Sequence, residues 1–577
     1  MINMNKLMWL DQTLNIAVRQ QYAAQKLVDF AGILVSLGIQ QAVIHLAEWQ
    51  CDRPELAEVQ NKITLYGLLD FAGCKLSLAE QAGITQMILV CDAKQVDFGV
   101  RLKEVMQEAG VRGLAVTLLL EGLEGLTATE LSGIIANLKQ YPVVGVIYQR
   151  RKGNLFALFD QITLLKSSLA CPIGISASNA YGLATANTLA ALKAGATQVL
   201  ASVGGIDGYT PWEEVLIAAR QFLGINTMLP PKLAIGCWQI FSMLELTVPA
   251  DKAVIGPAIF AHESGLHVDG VTKAPELYEP FAPELVGLRR QLIVGKHSGT
   301  AALRTKFAAW GIKLEEEESK NLLAGVRALA VRKKTALSDD ELRSLYLSRD
   351  GEQAAGIVFS AMEKLGIAIA LDNAGITWIE AGTPVMGQEE AEAMRLILDA
   401  GLKAVAFSWN RACRQDIEAS VACGFEFLHI SVPVSDLHIY RKLKQSRKWV
   451  FDQLTRAVYL AQSQGCCVSV GAEDASRAHP DQFLELAELS ERLGAVRIRY
   501  ADTVGLLDPF STRKIMSDLA IRCSLPIEFH AHNDFGLATA NTVTALQSGA
   551  LFASVTAAGI GERAGNAALE EVLAVME

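Results

Sequence analysis

The chain has 577 residues, 51% of them hydrophobic and 20% charged, and a formal net charge of -10. This length and apolar content exclude a disordered chain and predict two large domains plus a smaller region. The acidic balance argues against a nucleic-acid partner, because phosphate-binding surfaces are usually basic.

The N-terminal stretch and the cysteines predict a cytoplasmic protein. Residues 1–21 contain no apolar core with a small-residue cleavage site, so we expect no signal peptide. No segment approaches the ~20 apolar residues that span a bilayer, which argues against a membrane association. The ten cysteines are scattered without a CxxC motif, which indicates free thiols in a reducing compartment.

Two distant segments of the chain are closely similar. Tyr181–Ala196 and Phe535–Ala550 are identical at eleven of sixteen positions, at an offset of 354 residues. This offset is too long for a solenoid repeat, so it indicates the duplication of a whole domain.

Short apolar runs alternate with amphipathic stretches in both copies. In the second copy, strand-like runs begin at residues 378, 404, 427, 467, 497 and 527, and helical patterns occupy residues 446–465 and 480–494. Alternating βα units at about 30-residue spacing predict a parallel sheet, and about eight units predict a (β/α)8 barrel. The alternative, an open doubly wound sheet, lacks its glycine-rich dinucleotide fingerprint here.

We therefore expect an α/β protein with two tandem TIM barrels, at residues 1–225 and 346–577. Residues 226–345 differ in composition and are expected to form a smaller, mostly helical lid region. His262, His267 and His297 fall within a short part of this region. Any one of them could be purely structural, but such a role is harder to accept for all three.

The second barrel is predicted to open on Arg349, Asp350, Gly351, Glu352 and Gln353. A buried arginine beside carboxylates and an amide suits recognition of a 2-oxo acid carboxylate. The same residues suit a solvated helix start equally well.

Polar residues follow two later strands of this barrel. Glu473 and Asp474 leave the run that begins at 467, and a carboxylate pair at a strand end can transfer protons or position water. Asp474 could equally be a helix cap. Thr503 leaves the next run and offers a hydroxyl to a substrate carboxylate, although an ordinary strand-to-helix turn is the simpler interpretation.

His530 and His532 end the run that begins at 527. Side chains at i and i+2 of a strand point to the same face, so both imidazoles can bind one ion. At the C-terminal end of a barrel strand, they would lie at the mouth where active sites form. Asp534 could orient an imidazole. Two surface histidines are the alternative.

Taken together, these motifs resemble the metal-dependent Claisen-condensing synthases, a family that includes homocitrate, 2-isopropylmalate and citramalate synthases. RDGEQ at 349, SVPVSD at 431, ADTVG at 501, HAHNDFG at 530 and GIGERAGN at 559 resemble its barrel motifs in order. FAHESGLHVDG at 260 and GKHSG at 295 resemble its post-barrel motifs. EAGTPVMG at 380 and SVGAEDASR at 469 most resemble the nitrogen-fixation type of homocitrate synthase.

The resemblance implies condensation of acetyl-CoA with a 2-oxo acid, 2-oxoglutarate first among them, assisted by a divalent metal (Mg, Mn or Zn). It assigns His530, His532 and Asn566 to the metal and Arg349 to the ketone. It assigns Glu473 and His267 to proton transfer, and Gln353 and Thr503 to substrate binding. Another 2-oxo acid, giving isopropylmalate or citramalate, is the alternative within this class.

The sequence also departs from the family. Ser176 and Ser178 stand where the second barrel has His530 and His532, so we expect the first barrel to be degenerate. Leu345 occupies the position of the family's metal-binding Asp, which leaves open a non-catalytic, partner-dependent subunit.

The order of the domains predicts how the site is completed. The second barrel has no post-barrel region of its own before residue 577, and the first barrel is followed by one. The chain therefore resembles a fusion of two split subunits. We expect either a homodimer or an internal pseudo-dimer, in which the lid after the first barrel supplies His267 to the second.

Overall fold

The computed structural model describes residues 7–48, 56–95, 97–225, 228–262, 274–295, 298–310 and 359–576. Between residues 312 and 342 it describes 312–316, 319–320, 322–323, 325–326, 330, 337–339 and 341–342. Within these ranges, no helix has the length and apolar character needed to cross a membrane. The nine cysteines that they contain are free, and Cys467 is exposed rather than buried.

The first half of the chain forms a closed barrel of eight parallel strands. Pairing of the first strand with the eighth closes it, with Met8 opposite Gln198 and Asp11 opposite Ala201. The strands β1–β8 are Met8–Asp11, Gln41–His45, Thr64–Asp70, Gln86–Asp92, Ala115–Glu121, Gly145–Arg150, Ile173–Ala177 and Gln198–Ser202, and the short β9, Thr210–Pro211, extends the sheet.

Helices cover the outside of this barrel, as the alternating pattern predicts. They are Thr13–Arg19, Ala24–Ser36, Leu56–Lys62, Ser77–Gln81, Phe98–Val111, Ala128–Leu138, Leu155–Ser168, Ala184–Lys193 and Trp212–Leu223. Apolar side chains fill the barrel interior: Leu10, Val43, Tyr66, Leu68, Ile88, Leu119, Ile147 and Leu200.

The region between the barrels has few regular elements among its described residues. It contains the helices Leu233–Met243 and Thr300–Ala309 and a two-stranded pair, β10 (Ala261–His262) and β11 (Gln291–Leu292). Short 3-10 turns at Pro275–Leu277 and Pro283–Val286 lie between these two strands. The domain boundaries at 225 and 345 stay predictions.

The second half forms a curled sheet of seven parallel strands that pair in chain order. These strands, β12–β18, are Trp378–Gly382, Val405–Arg411, Phe427–Pro433, Cys467–Glu473, Ile498–Asp502, Ile527–Ala531 and Phe552–Ser554. Each of the six predicted runs begins within one residue of a strand. The first strand expected of this barrel would precede residue 359 and lies outside the described residues.

Helices again alternate with the strands. They are Ala361–Asn373, Gln388–Asp399, Arg414–Cys423, Arg447–Ser463, Pro480–Arg492, Pro509–Arg522, Ala538–Gln547 and Leu569–Met576. The duplication extends to the helix caps. Asn154 and Asp508, 354 residues apart, each accept hydrogen bonds from the backbone N–H groups of the residues two and three positions further along the chain.

The two barrels pack through equivalent surfaces. Phe156 and Phe510 occupy the same position of the two copies, and their rings meet edge to face, with centroids 5.4 Å apart. One helical turn further on, the Phe159 ring also contacts the Phe510 ring, with centroids 5.5 Å apart. Arg513, the counterpart of Phe159, lies with its guanidinium carbon 4.2 Å from the centre of the Phe156 ring. Such exchange of equivalent contacts is the property of a two-fold interface.

A second set of contacts follows the same symmetry. Each repeat segment is followed by the string EEV, whose second glutamate is Glu214 in the first copy and Glu571 in the second. Glu214 accepts a hydrogen bond from Thr185, and Glu571 accepts one from Thr539, each at 2.6 Å. Each of these glutamates also lies against the glycine at the second position of the other barrel's repeat segment: Glu571 faces Gly182, and Glu214 faces Gly536. The two halves are therefore related by a pseudo-two-fold axis.

Candidate active site

Three neighbouring strands of the second barrel bring four of the eight predicted site residues to one edge. Glu473 ends β15, Thr503 follows β16 directly, and His530 and His532 lie at and just beyond the end of β17. The parallel register pairs Ala472 with Tyr500, and Ala501 with His530, so these strand ends coincide. This is the C-terminal edge, where TIM-barrel active sites form.

The two histidines face each other. Their Nε2 atoms are 3.2 Å apart, and the ring planes are nearly perpendicular at 89°. The Nδ1 atom of His530 lies 3.1 Å from the hydroxyl of Ser554, which fixes the orientation of this ring and leaves Nε2 directed at the site. Burial, assisted by the positive charge of Arg499, lowers the pKa of His530 to about 4. At neutral pH the ring is therefore neutral, as metal ligation requires.

Asn566 adds an oxygen beside this pair. Its backbone forms an antiparallel bridge with His532. The side-chain Nδ2 donates to the carbonyl of Ile560, 3.2 Å away. The Oδ1 atom is buried and has no hydrogen-bond partner within the part of the chain that the structure describes. An amide oxygen in this condition is a suitable ligand for a divalent cation.

The donor set fits a divalent ion with an open coordination sphere. Two nitrogens bound at ~2.1 Å to one tetrahedral ion are about 3.4 Å apart, close to the observed 3.2 Å. The described residues hold no group of three or more His, Cys, Asp and Glu side chains that could bind a metal. Two imidazoles and one amide oxygen leave several positions for substrate oxygens and water.

Glu473 lies in a buried, charged environment. Its carboxylate accepts a hydrogen bond from the Lys442 ammonium at 2.8 Å, and Nδ1 of His438 lies 3.5 Å from the same oxygen. Burial raises the pKa of Glu473, but the ion pair with Lys442 and the contact with His438 outweigh it, so this pKa lies well below its usual range. Glu473 is therefore ionised at neutral pH, as a proton acceptor must be.

Thr503 and Asp474 join the ends of β15 and β16. The Thr503 hydroxyl oxygen accepts a hydrogen bond from the backbone N–H of Asp474 at 2.8 Å, so its proton is left for another acceptor. Asp474 is fully buried and binds Arg477 at 2.7 Å and the hydroxyl of Ser435. Its side chain forms no cap of the following turn. The capping interpretation of Asp474 is therefore wrong.

Arg563 is a site residue that sequence reasoning missed. Its buried guanidinium donates to both oxygens of Asp534, at 2.9 and 3.1 Å, and to the carbonyl of Thr503 at 2.7 Å. It therefore ties the loop after β17 to the loop after β16, and Asp534 binds this arginine in the structure. The available signal was the GERAGN motif, which contains both Arg563 and Asn566.

A charged cluster below the mouth was also missed. Glu528 binds Arg499 at 2.7 Å and Arg497 at 3.0 Å, and Arg499 also binds Glu380 at 2.7 Å. Both arginines and Glu528 are almost fully buried. The strand register also matches four interior positions of the second barrel, two of them in this cluster, to positions of the first barrel. The pairs, second barrel first, are Arg499 and Ile147, Glu528 and Gly174, His530 and Ser176, and Ser554 and Leu200.

This comparison gives the structural basis of the degenerate first barrel. Where the second barrel holds an ion pair, an imidazole and its hydroxyl partner, the first holds aliphatic, glycine and serine positions. Asp11, at the opening of the first barrel, accepts hydrogen bonds from Thr13 and Leu14 and so caps a helix. The loss of the metal site from this barrel stays a prediction, which these substitutions support.

Several predicted residues lie outside the described residues. They are His267, Arg349, Gln353, Leu345 and His297. Their predicted roles stay predictions.

Comparison with known proteins agrees with this architecture. A family model described as HMGL-like matches residues 152–231 and 346–577, just over half of the chain. A second, described as homocitrate synthase post-HMGL domain-like, matches residues 254–334. The chain therefore belongs to the HMGL-like family, within its alpha-isopropylmalate/homocitrate synthase group.

Curated relatives carry three related names. The chain is 48% identical over 229 residues to 2-isopropylmalate synthase 2 of Caldanaerobacter subterraneus subsp. tengcongensis. The aligned region covers 40% of this chain and 60% of that relative. The chain is 47% identical over 225 residues to homocitrate synthase 1 of Nostoc sp. (39% and 60%). It is 44% identical over 218 residues to homocitrate synthase subunit alpha of Clostridium pasteurianum (38% and 81%). The chain thus spans about 60% of the length of the first two relatives.

Proposed function

We propose that this protein condenses acetyl-CoA with 2-oxoglutarate and water to give homocitrate and CoA. The observation that carries the proposal is the facing pair His530 and His532, beside Glu473 and Thr503 at one barrel edge. Relatives named homocitrate synthase and the match to a homocitrate synthase post-barrel domain support this choice of substrate. The motifs at 380 and 469 favour the nitrogen-fixation type.

Each described residue has a role in this reaction. His530, His532 and Asn566 would hold a divalent ion, which when bound supplies Lewis-acid polarisation of the 2-oxo acid. Glu473, ionised and fixed by Lys442, accepts a proton, and the free hydroxyl proton of Thr503 binds a substrate carboxylate. For Arg349, Gln353 and His267 we propose the roles that the sequence predicts. We also propose that the enzyme is cytoplasmic, as the sequence predicts.

We also propose that the chain is an internal pseudo-dimer with one active site. The two barrels already cover each other's equivalent surfaces around Phe156 and Phe510. Within the chain, Lys514 and its counterpart Asp160 line the same groove, so self-pairing of two second barrels would replace one acidic and one basic lining residue by two lysines. A chain that is monomeric at micromolar concentration in light scattering supports this proposal.

The test is release of CoA from acetyl-CoA by the purified chain, with 2-oxoglutarate, 2-oxoisovalerate and pyruvate offered separately. We expect release with 2-oxoglutarate that depends on Mg or Mn and stops with a chelator. The double variant H530S/H532S, which installs the first barrel's residues, should abolish it. Faster release with 2-oxoisovalerate or pyruvate would establish the isopropylmalate or citramalate alternative instead.

Leu345 supports a second candidate, a non-catalytic partner subunit. Silence with all three acids and no metal bound at equilibrium would establish that role. Silence that Leu345→Asp relieves would show that only the missing carboxylate ligand limits the chemistry.

A further inference from the structure

A short segment between the barrels docks onto the second barrel next to Glu473. Residues 276 and 277 lie between 161 and 201 positions before the residues that they contact. The Tyr278 ring packs against the His438 ring, with centroids 5.5 Å apart, and lies 5.0 Å from the Lys442 ammonium. Tyr278, His438 and Leu277 are all buried. We call residues 276–278 the latch.

Arg477 receives the latch on the second barrel. Its guanidinium donates to the carbonyl of Glu276 and, at 3.0 Å, to the carbonyl of Leu277. It also binds Asp474, the neighbour of Glu473, at 2.7 Å. One side chain therefore joins two backbone carbonyls of the latch to the carboxylate pair at the end of β15. A planar guanidinium can do this because it presents several donors in fixed directions.

His438 provides a second connection. Its Nε2 atom lies 3.0 Å from the Leu277 carbonyl and 3.2 Å from Nη2 of Arg477, and its Nδ1 atom lies 3.5 Å from Glu473. We assign Nε2 as an acceptor from Arg477, because the Leu277 carbonyl already accepts a hydrogen bond from the same guanidinium. The proton then sits on Nδ1 and faces the Glu473 carboxylate. The other tautomer would direct a lone pair at that carboxylate.

We infer that the latch, acting through Arg477 and His438, holds Glu473 in its working position. Arg477 and His438 are positioning residues in this inference, which rests on the proposed function for the role of Glu473. The latch belongs to the segment that follows the first barrel, so this segment contributes contacts beside Glu473 of the second barrel. Lys442 holds the same carboxylate from the barrel side, and Asp474 lies 3.7 Å from Nε2 of His438. Tyr278, Glu562 and Arg563 are further ionisable groups close to this cluster.

The test compares two arginine variants on the same surface. Arg477→Met removes the donors to the latch, whereas Arg441→Met removes only an exposed ion pair with Glu276 of the same segment. In Arg477→Met we expect kcat to fall about 100-fold with KM changed less than about threefold, since small displacements of a reacting group have such effects. Amide exchange over residues 274–286 should rise. Arg441→Met should change neither quantity more than twofold.

A readout independent of turnover separates the latch from the proposed function. Carbodiimide labelling of carboxyl groups, followed by mass spectrometry, should modify Glu473 at least fivefold faster in Arg477→Met than in the parent chain. If the parent chain releases no CoA, the proposed function fails, and the labelling and exchange data still decide on the latch.

Two results would overturn the latch: unchanged exchange over 274–286 in Arg477→Met, or increased exchange with unchanged Glu473 labelling. His438→Gln, which keeps an amide near the Nε2 position but removes the Nδ1 donor, is the second variant should Arg477→Met not fold. It should leave latch exchange unchanged and raise Glu473 labelling. Parent-like labelling in His438→Gln would equally overturn the connection through this histidine.

Discussion

Glu528 is the residue at which the charged interior of the second barrel can be tested most directly. Its carboxylate lies between the guanidinium groups of Arg499 and Arg497, at 2.7 and 3.0 Å, and its side chain is 5% exposed. Glu528→Gln keeps the shape and removes the charge. Arg499 retains Glu380 as an ion-pair partner, so the cost falls on Arg497.

The magnitude follows from what remains around Arg497. Breaking a buried ion pair by removing one partner costs about 3–5 kcal/mol. Four aromatic rings surround the Arg497 guanidinium, the nearest being Trp378 with its centroid 4.4 Å away, and they continue to stabilise the cation. We therefore expect a loss near the lower limit, about 3 kcal/mol.

The assay is urea unfolding, in which the midpoint should fall with the m-value unchanged. The double variant R497M/E528Q should recover at least half of the loss, because no uncompensated charge is left in the barrel. Glu488→Gln, which removes an exposed pair with Arg492, should cost less than about 0.5 kcal/mol. A loss below about 1 kcal/mol in Glu528→Gln, or no recovery in the double variant, would refute this account of the interior.

Three further predictions concern the site, the first barrel and the interface. Ser554→Ala should weaken Mn or Zn binding about 10–100-fold in a calorimetric titration, because His530 loses its orienting partner, while Ser176→Ala should leave binding unchanged. Burial raises the pKa of Asp11 to about 7, so the folded state alone holds this proton between about pH 4 and 7. The free energy of unfolding should fall as pH rises through that window, by up to about 4 kcal/mol from this group, and Asp11→Asn should flatten the slope of unfolding measured from pH 4 to 8. Gly536→Ala should destabilise the chain more than Gly38→Ala in urea unfolding; both have positive φ (+68° and +84°), but only the alanine at 536 would collide with Glu214.

The sequence predicted the barrel elements well because their signal is local. The run 467–473 is mostly apolar and ends in Glu473, and similar runs recur at regular spacing, which is sufficient to place strands and their C-terminal edge. The two imidazoles of His530 and His532 also converge as the two-residue period predicts. These inferences needed no knowledge of distant contacts.

The rest of the site depends on distant contacts, which a single sequence does not reveal. The contacts of Arg477 and His438 cannot be inferred from their neighbours in sequence, because their shared partner Leu277 is 200 and 161 residues away. Arg499 interrupts an apolar run, so its inward direction is intelligible only once Glu528 and Glu380 are seen beside it. The alternation of side chains along a strand predicts which face of the sheet a residue occupies, but it does not predict which oppositely charged residue neutralises a buried charge.

The duplication explains why an impaired barrel is retained. Without the ion pair and the imidazole, the first barrel's interior is an aliphatic core, which needs no compensating charges and therefore tolerates substitution. Its outer surface carries the opposite constraint, since Phe156 and Glu214 must still fit Phe510 and Gly536 of the other copy. Divergence is thus permitted inside the first barrel and opposed at the interface. A scaffold that presents one docking surface and one latch to its active partner satisfies both conditions.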